Sequence, residues 1–230
     1  MQEQVSEEKL KILAIHGYRQ NGETFKQKTG SFRKMVNKWA QFTFVTAPHQ
    51  VITIVNEENT EENDKSDEFG WFFNRDDHTF RGIRKGGPAI GFETSIKFIE
   101  EVFDKYGPFD GILGFSQGAC FTGLLCDLQH RGLTKCKFHF AILASGFKSG
   151  SLCHLKYYNE EIDLPVLNIY GETDEIIPKG MSQSLGNVFK KPVTVVHPGK
   201  HYLPAAGPQK QIYQQFFIEK FSEKQNRNIK

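Results

Sequence analysis

Cysteine is scarce in this chain. Four occur among 230 residues, Cys120, Cys126, Cys136 and Cys153, and none forms a C-x-x-C pair near histidines. Neither a disulfide framework nor a zinc site is indicated, and reduced, mostly packed thiols are expected. Charge of one sign is not in excess either: 29 Lys and Arg stand against 27 Asp and Glu, a formal net charge of +2. That balance offers no general attraction to nucleic acid or acidic membranes, so no nucleic-acid partner is expected. No apolar run approaches the length of a membrane span, and Met1–Lys9 has neither the basic start nor the apolar core of a signal peptide. The expectation is a cytoplasmic protein without stable membrane insertion. Internal repeats and an inter-domain linker are also missing. The length suits a single domain over 1–230, able to bury roughly 70–75% of the surface of its unfolded chain, with residues 224–230 expected to fray. Nothing in the pattern speaks to oligomeric state.

What is present is an alternation of apolar runs with helical patterns, the mark of an α/β fold with parallel strands and helical crossovers. The runs at 11–16, 42–47, 109–114, 139–144, 165–170 and 193–197 read as strands. Several, such as Lys-Ile-Leu-Ala-Ile-His and Pro-Val-Leu-Asn-Ile-Tyr, lack polar alternation, which predicts a mostly parallel sheet covered by helices on both faces. Helices are predicted near 31–40, 91–106, 116–130, 179–189 and 207–223; in the second, Phe92, Ile96, Ile99 and Phe103 recur at spacings of three and four. Residues 56–68 carry seven acidic side chains and almost no apolar ones, so a mobile acidic surface loop is expected there. Trp71, Phe72 and Phe73 follow. Singly each reads as core filler, but together they form a candidate wall for an apolar substrate groove.

The segment 109–118 reads as an apolar strand running into Gly114-Phe115-Ser116-Gln117-Gly118. A G-x-S-x-G turn at the end of a buried strand lifts a serine hydroxyl above a parallel sheet, while its glycines let strand and helix approach closely. A serine hydroxyl is a weak nucleophile at neutral pH, so a base and an orienting carboxylate must accompany it. Both follow in the order Ser, Asp, His. After the strand ending at Tyr170 comes Gly171-Glu172-Thr173-Asp174-Glu175, where Asp174 is the candidate acid and Glu172 and Glu175 read as solvated loop charges. After 193–197 comes His197-Pro198-Gly199-Lys200-His201, where two histidines compete: His197 suits packing at the strand end, and His201 lies on a loop able to reach the nucleophile. An oxyanion formed at the attacked carbonyl needs preorganised donors. The backbone N–H of Gln117 is one, and that of Tyr18, on the turn His16-Gly17-Tyr18-Arg19-Gln20 after the first strand, is the other. Arg19 is open to two readings, a contact to an anionic substrate group or a structural ion pair.

The set Ile-His-Gly-Tyr-Arg-Gln-Asn, Ala-Pro-His, Gly-Trp-Phe-Phe, Gly-Phe-Ser-Gln-Gly, Gly-Glu-Thr-Asp and His-Pro-Gly-Lys-His resembles the eukaryotic family of serine hydrolases (FSH) over nearly the whole chain. The resemblance implies an α/β-hydrolase fold without a large cap domain, a triad of Ser116, Asp174 and His201, and hydrolysis of carboxylic esters with a leaning toward long-chain alkyl esters. Neither metal nor cofactor is implied, and the partner would be a small acyl ester. Two departures stand out: Lys200 occupies a place where a second glycine is expected, and the acidic loop is expanded. Acyl-protein thioesterases share Gly-Phe-Ser-Gln-Gly and the following Gly-x-x-Asp turn but open on His-Gly-x-Gly-Asp, where this chain has Tyr18-Arg19-Gln20-Asn21. The third reading is an inactive hydrolase fold serving as a binding module, against which stands the intact Ser, Asp and His set.

Overall fold

A computed structural model describes residues 8–51 and 67–228 of the chain. In order these form β1 (Leu10–Ile15), α1 (Gly22–Lys28), α2 (Gly30–Val36), β2 (Ala40–Val45), β3 (His49–Gln50), β4 (Phe69–Gly70), α3 (Phe92–Tyr106) and β5 (Gly111–Phe115). They continue with α4 (Gln117–His130), β6 (Phe140–Ala144), β7 (Val166–Gly171), α5 (Lys179–Gly186), β8 (Val193–His197) and α6 (Gln209–Asn228). Six strands make one sheet in the order β2-β1-β5-β6-β7-β8, with every pairing parallel. The six strands expected from the apolar runs are these six, with ends shifted by no more than two residues. β3 and β4 pair separately as a short antiparallel ladder.

The absence of polar alternation has a direct cause: both faces are dry. On β1, Leu13 and Ile15 join a cluster with α3, α4 and α5, whereas Leu10, Ile12 and Ala14 face the core formed with α1, α2 and α6. β6 divides the same way, with Ala141 and Leu143 on one side and Phe140, Ile142 and Ala144 on the other. The side-chain period of two therefore runs between two apolar sets. Helix α1 escaped the periodicity reading because Phe25 is its one large apolar residue; a cap defines it instead, Asn21 Oδ1 accepting from Thr24 N–H at 2.8 Å.

The C-terminal segment departs from expectation. Rather than fraying from 224, α6 runs through Asn228, with Tyr213 and Phe217 fully buried on the sheet. Lys224 Nζ reaches Asp110 Oδ2 at 2.9 Å and the Lys9 carbonyl at 2.9 Å, and this buried pairing holds the helix end down. Of the predicted acidic loop, Asp67 and Glu68 are fixed against the first turn, and 56–66 lies outside the described residues.

Strand order reverses between β1 and β5. At such a switch point the loops leaving the two strands part to opposite faces and open a crevice at their carboxyl ends. The candidate residues of the sequence lie on the loops at that end.

Candidate active site

Ser116 sits immediately after β5 with φ of 53° and ψ of −115°, a conformation that costs a non-glycine residue. Hydrogen bonds on both sides hold it there. Its N–H donates to Ala144 O at 2.8 Å, and its carbonyl accepts from Cys120 N–H at 3.0 Å. The flanking glycines are sterically required: a Cβ on Gly114 would lie 2.5 Å from Gly118 O, and one on Gly118 would lie 2.3 Å from Ile15 O and 2.4 Å from His16 O. The start of α4 thus rests directly on the end of β1.

Three side chains from separate loops meet at this point. Ser116 Oγ lies 2.9 Å from His201 Nε2, and His201 Nδ1 lies 2.7 Å from Asp174 Oδ2. Asp174 is 6% exposed, and its other oxygen accepts from the N–H groups of Ile176 and Ile177, both at 2.9 Å. With the carboxylate accepting at Nδ1–H, Nε2 is left as acceptor for the serine proton, the tautomer a general base requires. The acid and histidine loops are also bound to each other, since Thr173 N–H and Oγ1 reach Gly199 O at 3.3 and 3.1 Å and Glu172 N–H donates to His197 O at 2.7 Å. The competing residues fall elsewhere. His197 is buried against Tyr202, where burial lowers its pKa, and Glu172 and Glu175 are exposed partners of Lys179 and Lys200, each at 3.3 Å. The lysine standing where glycine was expected is accommodated by that surface ion pair.

The turn after β1 is held from both sides. His16 is fully buried; its Nε2 accepts from Ala47 N–H at 2.9 Å, so Nδ1 carries the proton and donates to Gly17 O at 2.7 Å. Burial lowers its pKa to about 4, consistent with the neutral ring this pairing demands. Arg19 N–H bonds Phe69 O at 2.9 Å and its side chain pairs with Glu68 at 2.8 Å, which places it in a structural ion pair. The backbone N–H groups of Tyr18 and Gln117 bond to no protein acceptor among the described residues.

Trp71, Phe72 and Phe73 are not the groove wall. They are 0%, 0% and 3% exposed, and none lines the cavity over Ser116. Trp71 stacks on Phe121 at 5.1 Å and donates through Nε1 to His16 O at 2.8 Å, and Phe72 packs edge-on against Phe92 and Phe80. The segment instead supports the site from beneath. The buried Gln117 side chain accepts from Trp71 N–H at 2.9 Å and donates to Phe72 O at 2.7 Å, tying the start of α4 to it. The cavity over Ser116, about 490 Å³, takes its apolar lining from Tyr18, Phe80, Phe115, Phe147 and Ile177. Phe147 was within reach of sequence reasoning, because it follows a buried strand toward the same end of the sheet. Phe80 gave no such signal, standing in a stretch of glycines and charges without periodicity.

The parallel sheet, the elbow and the Ser-His-Asp set place the chain among the α/β-hydrolases. Residues 5–213 match the model of the family described as serine hydrolase (FSH1), and the chain belongs to that family. Esterase AAEL000016 of Aedes aegypti is 55% identical over 214 residues, covering 93% of this chain and 77% of that protein. Esterase OVCA2 of Danio rerio is 41% identical over 218 residues, covering 90% and 96%. Among solved structures, Zea mays acyl-protein thioesterase 2 superposes with a TM-score of 0.63 at 15% identity, covering 94% of this chain and 96% of that one, a likeness of fold.

Proposed function

We propose that the protein is a serine carboxylesterase that hydrolyses carboxylic esters, long-chain alkyl esters among them, through an acyl-enzyme on Ser116. The observation that carries this reading is the single imidazole of His201 bridging Ser116 and Asp174 at 2.9 and 2.7 Å. As Oγ bonds to the ester carbonyl carbon, its proton passes to His201 Nε2, and Asp174 stabilises the resulting imidazolium. The carbonyl oxygen becomes an oxyanion, received by the N–H groups of Tyr18 and Gln117. His201 then gives its proton to the departing alkoxide, leaving the acyl group on Ser116. Water attacks this ester with His201 again as base, releasing the carboxylic acid and restoring the serine. These groups fill every role, so the reading names no metal or cofactor.

Support for an apolar acyl group comes from the aromatic and aliphatic lining of the cavity and from its volume, within the roughly 300–1,000 Å³ of small-molecule sites. The test is labelling with a fluorophosphonate followed by peptide mapping, alongside turnover of esters of increasing chain length. Label on Ser116, lost in Ser116→Ala, together with kcat/KM rising with chain length, is expected. A folded protein that takes no label, or one that prefers acetyl esters, would contradict the reading.

A further inference from the structure

Beside the catalytic cavity lies a second groove of about 640 Å³, and the two share Gly82 and Ile83 as a common wall. One side of it is apolar, formed by Leu152, Leu155 and Met181; the other presents Arg84, Lys85 and Lys148. No carboxylate lines it. The three cations make no ion pair among the described residues, and Asp77, whose carboxyl feels Arg84, is itself paired with Arg75 at 2.9 Å. Around the mouth, Arg19 pairs with Glu68, Lys179 with Glu172 and Lys200 with Glu175, while Arg81, on the wall of the catalytic cavity, makes no ion pair among the described residues. Three cations without an ion pair thus line one concavity that adjoins the cavity over Ser116.

The groove is also built firmly. Gly86 N–H donates to Gly150 O at 2.7 Å, Leu152 N–H to Gly87 O at 3.0 Å, and Ser151 Oγ to Pro88 O at 2.7 Å, which fastens the strap carrying Arg84 and Lys85 to the loop carrying Lys148. A Cβ on Gly150 would lie 2.3 Å from Arg84 O, so the two backbones touch. At the other end of the strap the buried Asn74 side chain bonds both N–H and O of Arg81. Cations carried on a fixed backbone beside an apolar wall suit an anion at the end of an apolar arm, because little loop freedom is lost on binding.

We propose that this groove receives an anionic end of the substrate: the esters hydrolysed at Ser116 carry a carboxylate or phosphate group remote from the reacting carbonyl, held by Arg84, Lys85 and Lys148. The inference rests on the esterase reading above. Its test uses two matched pairs of esters, each an anionic ester and its methyl-capped neutral counterpart. The 4-nitrophenyl ester of sebacic acid and that of its monomethyl ester place the charge on the acyl arm. The octanoyl esters of 4-hydroxybenzoate and of methyl 4-hydroxybenzoate place it on the leaving arm.

In at least one pair the anionic ester should be preferred by about tenfold in kcat/KM. The preference should vanish when Arg84, Lys85 and Lys148 are together replaced by Gln, and also in the unmodified protein at about 1 M salt, where the screening length is about 3 Å. Equal turnover within both pairs, or a preference that survives the triple replacement, overturns the inference. So does co-sedimentation with phosphatidylserine vesicles that depends on these cations while neither pair shows a preference, which would assign them to a lipid surface. Turnover of none of the four esters, with Ser116 unlabelled, would instead overturn the esterase reading.

Discussion

Gln117 does two jobs in one residue: its backbone N–H faces the oxyanion position proposed above, and its side chain clamps Trp71 and Phe72. In Gln117→Leu the Trp71 N–H and Phe72 carbonyl are left buried and unpaired. The expected cost is about 2–4 kcal/mol, read by calorimetry as a fall in Tm of about 5–15 °C for a chain of this size. Asp174→Asn is different in kind. The buried acceptor for His201 Nδ1–H becomes an amide that favours the wrong tautomer, and kcat should fall by about 10⁴ with little change in Tm. Glu175→Gln, which removes only an exposed partner of Lys200, should leave steady-state rates within about twofold. A large loss in Glu175→Gln with near-normal turnover in Asp174→Asn would reverse the assignment of the acid.

At the scale of elements, the site depends on how closely α4 approaches β1. Gly118→Ala would push a methyl group into the carbonyls of Ile15 and His16, the residues leading into the turn that bears Tyr18. Overpacking of this kind costs about 1–3 kcal/mol, and the displaced turn should lower kcat well beyond what that loss of stability explains. Comparing labelling at Ser116 with thermal unfolding of the same sample separates the two effects. This element was legible in the sequence because the glycine spacing states a steric requirement. The aromatic segment 71–73 was not, because composition reveals apolar character without direction. Backbone groups of Trp71 and Phe72 face Gln117 and their rings pack on α3 and α4, so the groove wall falls to Tyr18 and Phe147 from two other loops and to Phe80 further along the same connection.

Across the whole molecule, burial of neutral imidazoles links stability to pH. His16 and His154 are 0% and 1% exposed, and burial lowers each pKa from 6.5 to about 4. Between these values the unfolded chain holds protons that the folded one excludes, so stability rises with pH across this window and is lost as pH falls through it. The cost on going from about pH 7 to pH 5 is about 2 kcal/mol per imidazole. Urea midpoints measured across that range should fall steadily; a flat profile would show that these rings are not held neutral. A second long-range device joins α6 to β1 and the approach to β5. Asp110 accepts from Lys224 at 2.9 Å and from Lys11 N–H at 2.8 Å. Asp110→Ala leaves the buried Lys224 ammonium with the Lys9 carbonyl and a 3.7 Å approach to Glu8 and should destabilise by about 3 kcal/mol, a loss that Lys224→Met combined with Asp110→Ala should partly relieve.

The six strands and their parallel direction are properties of the sequence alone, since unbroken apolar runs separated by helical periodicity leave few other ways to bury both faces of a sheet. The same holds for Ser116, Asp174 and His201 as candidates, because chain order and turn glycines are local facts. Tertiary structure decided what local pattern cannot carry: which of two histidines reaches the serine, which of three carboxylates reaches that histidine, which aromatics face a cavity, and which cations line the groove beside it. Those outcomes depend on directions and distances between loops remote in sequence, set only when the strand order reverses between β1 and β5 and the loops at that end of the sheet converge.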